Sequence, residues 1–133
     1  MDVNSSSVLP AVTGPVCILD DDPAMLKAVD RLLSSAGLEA HLFAQPLEFL
    51  SYAICSSVAL AIIDIGMPGM TGLEVQSKLQ AVSPGTRVII NTANDQDSVR
   101  KIAIQAGAIA YFVKPFDVEV FLAAVHQALA SRS

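Results

Sequence analysis

Acidic side chains follow two strongly apolar runs of this chain, at the point where each run ends. Asp20 and Asp21 come directly after residues 16–19, and Asp64 comes directly after residues 59–63. Neither run shows the polar alternation of a half-exposed strand, so both are typical of strands buried on two faces. The carboxyl ends of parallel strands share one edge of a sheet, where ligands bind in open α/β folds. We therefore expect these three carboxylates to lie close together.

A hydroxyl and an ammonium group follow two further strand-like runs. Thr92 comes after residues 87–91, and Lys114 comes after residues 109–113. Taken singly, such residues are commonly turn residues, helix caps or solvated surface charges. Their position at the same end of four predicted strands instead indicates one shared cleft.

Phosphoryl transfer is the chemistry that this set of groups fits best. Three neighbouring carboxylates repel one another, and a hard cation with oxygen ligands removes that conflict. Mg²⁺ suits the set because it binds one or two carboxylates, keeps several waters and shares phosphate oxygens. Lys114 and Thr92 then serve a second anionic group as a charge and a hydrogen bond, as phosphoryl transfer requires. Asp64 is the natural nucleophile, since carboxylates can form aspartyl-phosphates.

The elements that must position these groups alternate regularly along the chain. Five strands are predicted, at residues 16–19, 38–43, 59–63, 87–91 and 109–113. Five helices are predicted to start at Pro23 with Asp22 as N-cap, at Pro46, at the capping-box pair Thr71 and Glu74, at Asp95 and at Asp117. Gly37 is predicted to close the first helix in a left-handed conformation. The last helix is predicted to pack through Val118, Phe121, Leu122, Val125 and Leu129. This alternation predicts an α/β fold with a five-stranded parallel sheet and helices on both faces.

Length and composition limit the possible functions. The 133 residues suit one domain, which we assign to residues 15–133 after a disordered lead-in at residues 1–14. A net charge of −5 argues against direct binding of nucleic acid, which needs a basic face. The apolar runs are too short to span a membrane and no signal-peptide pattern is present, so we expect a cytoplasmic protein without a membrane partner. Both cysteines, Cys17 and Cys55, are expected to be reduced and buried.

Four motifs, in this order, resemble those of the receiver domain of response regulators in two-component signalling. They are residues 18–23 (ILDDDP), 63–72 (IDIGMPGMTG), 91–93 (NTA) and 107–116 (GAIAYFVKPF). The resemblance covers about residues 15–131, which is nearly the whole chain. It implies the doubly wound, flavodoxin-like fold with strand order 2-1-3-4-5, the order of the chemotaxis member of the family.

The resemblance implies that a histidine kinase transfers a phosphoryl group to Asp64. Asp20 and Asp21 would bind Mg²⁺ together with Asp64, and Gly66 would contribute its backbone carbonyl. Gly66 and Asn94 stand at positions that vary in the family and that flank the path of the water that hydrolyses the phosphoryl group. Our hypothesis is that these two residues tune the lifetime of the acyl phosphate.

The resemblance also implies how the domain changes its conformation after phosphorylation. Lys114 pairs with one phosphoryl oxygen, Thr92 moves to hydrogen-bond another, and Tyr111 changes rotamer with Thr92. The surface of the fourth helix, fifth strand and fifth helix then reshapes, and we expect it to form a phosphorylation-dependent homodimer, as it often does in relatives. The Lys114–Pro115 peptide bond is expected to be cis, as in the family.

Residues 19–50, and the stretch 44–50 within them, look most like receivers that precede a helix-turn-helix DNA-binding domain. The chain is then either a stand-alone receiver or the receiver of a longer regulator, and we favour the second. In that case transcription is the expected output, and DNA is contacted only through a domain outside this chain. The receiver itself is expected to be a switch rather than an enzyme, with only slow self-catalysed phosphoryl transfer and hydrolysis.

Three other functions remain open from the residues alone. A phosphatase of the haloacid-dehalogenase type also phosphorylates a strand-end aspartate, but it needs a second aspartate where this chain has Gly66. A flavodoxin needs a hydroxyl-rich or glycine-rich phosphate loop after its first strand, where three consecutive aspartates would here repel phosphate. A degenerate receiver would act only as an interaction module, yet all five key side chains are present.

Overall fold

Five strands and five helices alternate along residues 14–130, the part of the chain that this computed structural model describes. The strands are β1 (Val16–Leu19), β2 (Ala40–Phe43), β3 (Leu60–Asp64), β4 (Arg87–Thr92) and β5 (Ala110–Val113). The helices are α1 (Pro23–Ser35), α2 (Pro46–Cys55), α3 (Gly72–Val82), α4 (Asp97–Gln105) and α5 (Val118–Ala130). All strand pairs are parallel, in the order β2-β1-β3-β4-β5, so the predicted fold is confirmed. The predicted lead-in falls on residues 1–13, outside the described residues, and on Gly14.

The sheet separates two apolar cores. Ile63 of β3 packs with α2, α3 and α4 on one face, whereas its neighbour Ile62 packs with α1 and α5 on the other. Phe49 of α2 and Phe121 of α5 are the largest fully buried side chains of the two faces. Because helices cover both faces, polar groups of the central strands reach solvent only at the strand ends. Within residues 14–130, no helix has the length and apolar character needed to cross a bilayer.

Capping follows the sequence signals at three helices. Asp22 accepts a hydrogen bond from the first turn of α1 at 3.0 Å, and Asp117 accepts one from the first turn of α5 at 3.0 Å. Thr71 and Glu74 form the complete capping box of α3. Gly37 follows α1 with a φ of +80°, the left-handed conformation that was predicted. Each N-cap of this kind contributes about 0.5–2 kcal/mol, so local hydrogen bonds stabilise the starts of these three helices.

Three local predictions are wrong. Asp95 does not cap α4: Gln96 is the N-cap, because residues 92–94 form a hydrogen-bonded turn and the chain becomes helical only afterwards. Val118 is 46% exposed, since the buried stripe of α5 begins one turn later. β2 begins two residues later than predicted, since the backbone N–H of Leu38 bonds back to the end of α1.

The two cysteines differ in exposure, contrary to the expectation that both are buried. Both are free thiols, but Cys55 is the last residue of α2 and is exposed. Cys17 is fully buried in β1, and this burial raises the pKa of its thiol to about 12. A thiol-specific reagent is therefore expected to modify Cys55 in the native protein and Cys17 only after unfolding. Reaction of two thiols in the native protein at the same rate would contradict the buried position of Cys17.

Gly72 brings the start of α3 against the end of β3. A Cβ atom at this position would lie 2.5 Å from the backbone oxygen of Asp64 and 2.7 Å from the Cα of Ile65. Backbone atoms of a central strand cannot move aside, so Gly72→Ala is expected to lower the free energy of unfolding by about 1–3 kcal/mol. Gly66→Ala is the matched control, because a Cβ there meets no atom within 4 Å. Equal urea midpoints for the two variants would contradict this close approach.

Candidate functional site

Four charged side chains from three strand ends meet at the carboxyl edge of the sheet. Asp20 and Asp21 follow β1, Asp64 ends β3, and Lys114 follows β5. Carboxylate oxygens of the three aspartates all lie within 4.8 Å of one another. The Lys114 Nζ atom donates hydrogen bonds to Asp20 Oδ2 and to Asp64 Oδ1, both at 3.0 Å. Asp20 and Asp64 are buried and Asp21 is exposed, so the cluster opens to solvent on one side.

Backbone hydrogen bonds beyond the strands hold these residues in place. The N–H of Asp20 donates to the carbonyl of Phe43 on β2 at 3.1 Å, and Asp20 Oδ1 accepts from the N–H of Asp22 at 2.9 Å. The N–H of Lys114 donates to the carbonyl of Thr92 on β4 at 2.8 Å. Backbone hydrogen bonds between neighbouring strands therefore continue past the last paired residues, and they fix the backbone at Asp20 and Lys114.

The charges of the cluster do not cancel. Three carboxylates face one ammonium, which leaves an excess of two negative charges when all four groups are ionised. Burial, with a smaller contribution from the neighbouring carboxylates of Asp20 and Asp21, raises the pKa of Asp64 even though its hydrogen bond to Lys114 opposes the shift. Burial alone would lower the pKa of Lys114, but its hydrogen bonds to Asp64 and Asp20 outweigh burial and raise that pKa. The site therefore favours an added positive charge.

Asp64→Asn is expected to stabilise the metal-free protein. Because the folded-state pKa of Asp64 is raised, its ionisation costs stability as the pH rises from about 3.8 through that folded-state pKa. The amide imitates the neutral acid, so the gain in stability is present at neutral pH and shrinks at acidic pH. Chemical denaturation at several pH values in the presence of a chelator measures it, with Asp30→Asn in the middle of α1 as the control. A variant that is less stable than the wild type at neutral pH would contradict this account of the cluster.

Thr92 ends β4 and Tyr111 is the second residue of β5, and neither side chain forms a hydrogen bond with the charged cluster. The Thr92 hydroxyl donates to the carbonyl of Asn94 and accepts from the N–H of the same residue, both at 3.1 Å. The Tyr111 ring lies 4.9 Å from the guanidinium carbon of Arg100 on α4, and its hydroxyl oxygen is buried without a hydrogen-bond partner among the described residues. The Thr92 side chain thus connects β4 to the loop before α4, and the Tyr111 side chain connects β5 to α4 itself.

The remaining predicted features lie around this cleft. Gly66 is an exposed loop residue between β3 and α3. The Lys114–Pro115 peptide bond is cis, as expected. Sequence reasoning did not assign a role to Asn91, which is buried at the end of β4 directly beside Asp64 in the strand register. In the sequence, Asn91 could have been noticed as a polar residue directly after the apolar run of β4.

Comparison with known proteins decides the family. Residues 16–126 match the family model described as the response regulator receiver domain. The chain belongs to the response regulator receiver family. This receiver is 36% identical over 114 residues to the response regulator protein TodT of Pseudomonas putida, a match that covers 86% of the chain and 50% of TodT. It is 33% identical over 117 residues to the DNA-binding transcriptional regulator NtrC of Escherichia coli K12, covering 88% of the chain and 25% of NtrC.

Solved structures agree with this family. The receiver superposes on a CheY-like response regulator receiver domain protein of Methanospirillum hungatei with a TM-score of 0.82 and 29% identity, over 87% of the chain and 93% of that protein. The receiver spans about half the length of TodT and a quarter of NtrC, so the match describes the receiver part of such regulators. The resemblance inferred from the four motifs is thereby confirmed, and with it the role of the domain as a signalling switch.

Proposed function

We propose that Asp64 of this receiver accepts a phosphoryl group from a histidine kinase, and that the domain passes this signal to an output. The observation that carries the proposal is the cluster of Asp20, Asp21 and Asp64 with Lys114 bridging two of its members. Membership of the receiver family supports a phosphoacceptor role. The cluster supports the choice of Asp64, because this residue ends the central strand β3, accepts a hydrogen bond from Lys114 and lies beside the carboxylates of Asp20 and Asp21.

Mg²⁺ is the cation that we assign to the cluster. The donor set consists of carboxylate oxygens, which are ligands that hard cations prefer, and its excess of two negative charges matches one divalent ion. Asp20, Asp21 and Asp64 would hold the ion through their carboxylates, and Gly66 would add its backbone carbonyl. When bound, the ion supplies charge neutralisation for the phosphoryl group.

The side chains of the receiver itself carry the transfer. A carboxylate oxygen of Asp64 forms the bond to phosphorus, while the bond from phosphorus to the kinase histidine nitrogen breaks and that nitrogen keeps the electron pair. The Lys114 ammonium, which already contacts Asp64, follows the new negative charge onto a phosphoryl oxygen. Thr92 releases the backbone of Asn94 and donates its hydroxyl hydrogen to another phosphoryl oxygen. Gly66 and Asn94 flank the path of the hydrolytic water, so we assign them the tuning of phosphoryl lifetime.

The switch surface of this receiver is α4, β5 and α5. Ala103 is the one buried residue of α4 among those described, so this helix is weakly anchored and is free to respond when Thr92 leaves Asn94. Movement of the Tyr111 ring would in turn require it to leave the guanidinium of Arg100. Exposed apolar side chains lie on α4 and α5, and we propose that they form a homodimer after phosphorylation: Ile102, Ile104, Val118 and Val120.

The output is assigned from the relatives. TodT is a response regulator and NtrC is a DNA-binding transcriptional regulator, and each is longer than this chain. We infer that this receiver likewise controls transcription in the cytoplasm, through a DNA-binding domain outside the chain. The net charge of −5 agrees with a receiver that does not itself bind DNA.

Sedimentation tests the proposed switch. The receiver is incubated with Mg²⁺ and beryllofluoride, a phosphoryl analogue, and is compared with the same protein in Mg²⁺ alone. We expect the analogue to shift the receiver towards a dimer, and Asp64→Asn to remain unchanged. An Ile102→Ser variant should bind the analogue but remain monomeric, because it alters the proposed interface and not the cleft. Identical sedimentation of the wild type with and without the analogue would contradict the proposed dimer.

A further inference from the structure

Asn91 is a buried polar residue to which the proposed transfer assigns no role. Its side chain is 3% exposed, and its Oδ1 atom has no hydrogen-bond donor among the described residues. The three preceding residues of β4, at positions 88–90, are all buried and apolar. Leaving a buried acceptor unpaired lowers stability, so each atom of this kind in a folded protein calls for a specific explanation.

The register of the sheet places Asn91 beside Asp64. The two are paired residues of β4 and β3, so their side chains leave the sheet on the same face, from strands about 4.8 Å apart. On its other side Asn91 pairs with Phe112 of β5, which stands two residues before Lys114. Successive side chains alternate between the faces, so Lys114 follows Phe112 on the face that Asn91 shares. Asn91 therefore lies at the floor of the cleft, between Asp64 and the strand that carries Lys114.

Lys114 is the donor that fits this unpaired acceptor. Its ammonium has three N–H bonds, and the structure uses two of them, for Asp20 and Asp64. An ionised Asp64 only accepts hydrogen bonds, so it cannot itself satisfy the Oδ1 atom of Asn91. Phosphoryl transfer removes most of the charge from the Asp64 oxygen that becomes bonded to phosphorus. The ammonium then loosens from Asp64, and an acceptor on the same face would hold it while it moves to the phosphoryl oxygen.

We propose that Asn91 is a positioning residue that accepts a hydrogen bond from Lys114 while the ammonium moves from Asp64 to the phosphoryl group. This inference rests on the proposed function of Asp64. Asn91 keeps the ammonium directed into the cleft, so that Lys114 reaches the phosphoryl oxygen without first exchanging to bulk water. The unpaired oxygen in the resting structure is then an acceptor held ready for this movement.

A matched pair of substitutions isolates the oxygen atom. Valine and threonine have nearly the same shape, but only Asn91→Thr keeps an acceptor oxygen at this position. With acetyl phosphate and Mg²⁺, Asn91→Val should be phosphorylated about three- to tenfold more slowly than the wild type, the effect of one lost hydrogen bond. Asn91→Thr should recover part of that rate. Asn91→Val should unfold at a temperature no lower than the wild type, because an unpaired buried polar group has been removed.

A double-mutant cycle tests whether Asn91 acts through Lys114. In a Lys114→Met background, Asn91→Val should change the phosphorylation rate by less than about twofold, because the donor is absent. An Asn91→Val protein that is phosphorylated as fast as the wild type would overturn the inference and leave the proposed function standing. An equal effect of Asn91→Val in both backgrounds would also overturn it. A wild-type chain that accepts no phosphoryl group would overturn the proposed function, and this inference with it.

Discussion

The Asp64→Asn variant is expected to lose phosphorylation completely. Asp64 is the only member of the cluster that both ends the central strand β3 and contacts Lys114, and an amide cannot form the acyl phosphate. Incubation with acetyl phosphate and Mg²⁺, followed by electrophoresis that retards phosphoproteins, should show a shifted band for the wild type and none for the variant.

Two control variants sharpen this prediction. Asp30→Asn alters a carboxylate in the middle of α1 and should be phosphorylated like the wild type. Asp21→Asn keeps the nucleophile but removes the exposed ligand of the cluster, so it should need a higher Mg²⁺ concentration for the same rate. A shifted band in Asp64→Asn would show that another residue accepts the phosphoryl group.

Lys114→Met is expected to cause a large loss of stability in the metal-free protein. The ammonium pairs with two buried carboxylates at 3.0 Å, and removal of one partner from a buried ion pair typically costs about 3–5 kcal/mol. Part of that cost is recovered when Asp64, whose pKa is already raised, takes up a proton. Chemical denaturation in a chelator should show the loss, and added Mg²⁺ should restore more stability to the variant than to the wild type, because its cluster carries a larger negative excess.

The pH dependence of this variant has a definite sign. The pKa of Lys114 is raised above 10.5 in the folded protein, so the stability that its charge contributes is complete below 10.5 and is lost as the pH rises through the folded-state pKa. Lys114→Met should lack this alkaline loss. Lys78→Met, which alters an exposed lysine of α3, should retain it and should unfold like the wild type at neutral pH. A Lys114→Met protein that matches the wild type in stability would contradict the ion-pair geometry.

The sequence was sufficient to place the three aspartates, Thr92 and Lys114 at one edge of the sheet, because that placement depends only on the parallel topology. Parallel strands bring their carboxyl ends together wherever the helices pack, so Asp20, Asp64 and Lys114 were placed from apolar runs alone. The bridging of two carboxylates by Lys114 was not predictable, because it depends on a side-chain conformation that no periodicity encodes. Thr92 was placed at the correct strand end, yet its bond to the backbone of Asn94 depends on the loop that follows.

Loops and helix ends account for the wrong predictions. Asp95 has the residue type of an N-cap, but the hydrogen-bonded turn of Thr92 and Asn94 comes just before it, and α4 begins only after Gln96. Cys55 was expected to be buried because free cysteines usually are, but it is the last residue of α2 and is exposed. Asn91 was placed correctly at the end of the fourth predicted strand, but it was given no role because its residue type alone does not indicate burial. Only the pairing of β4 with β3 shows that it is buried beside Asp64.

Mass spectrometry after phosphorylation tests the central claim most directly. The protein is incubated with acetyl phosphate in Mg²⁺ or in a chelator, the intact mass is measured, and the acyl phosphate is trapped by reduction so that its position survives digestion. The predicted result is one added phosphoryl group in Mg²⁺ and none in the chelator, with the trapped residue at position 64. A chain that remains unmodified in Mg²⁺, or one modified at a different residue, would contradict the assignment of this cluster as the phosphoacceptor site.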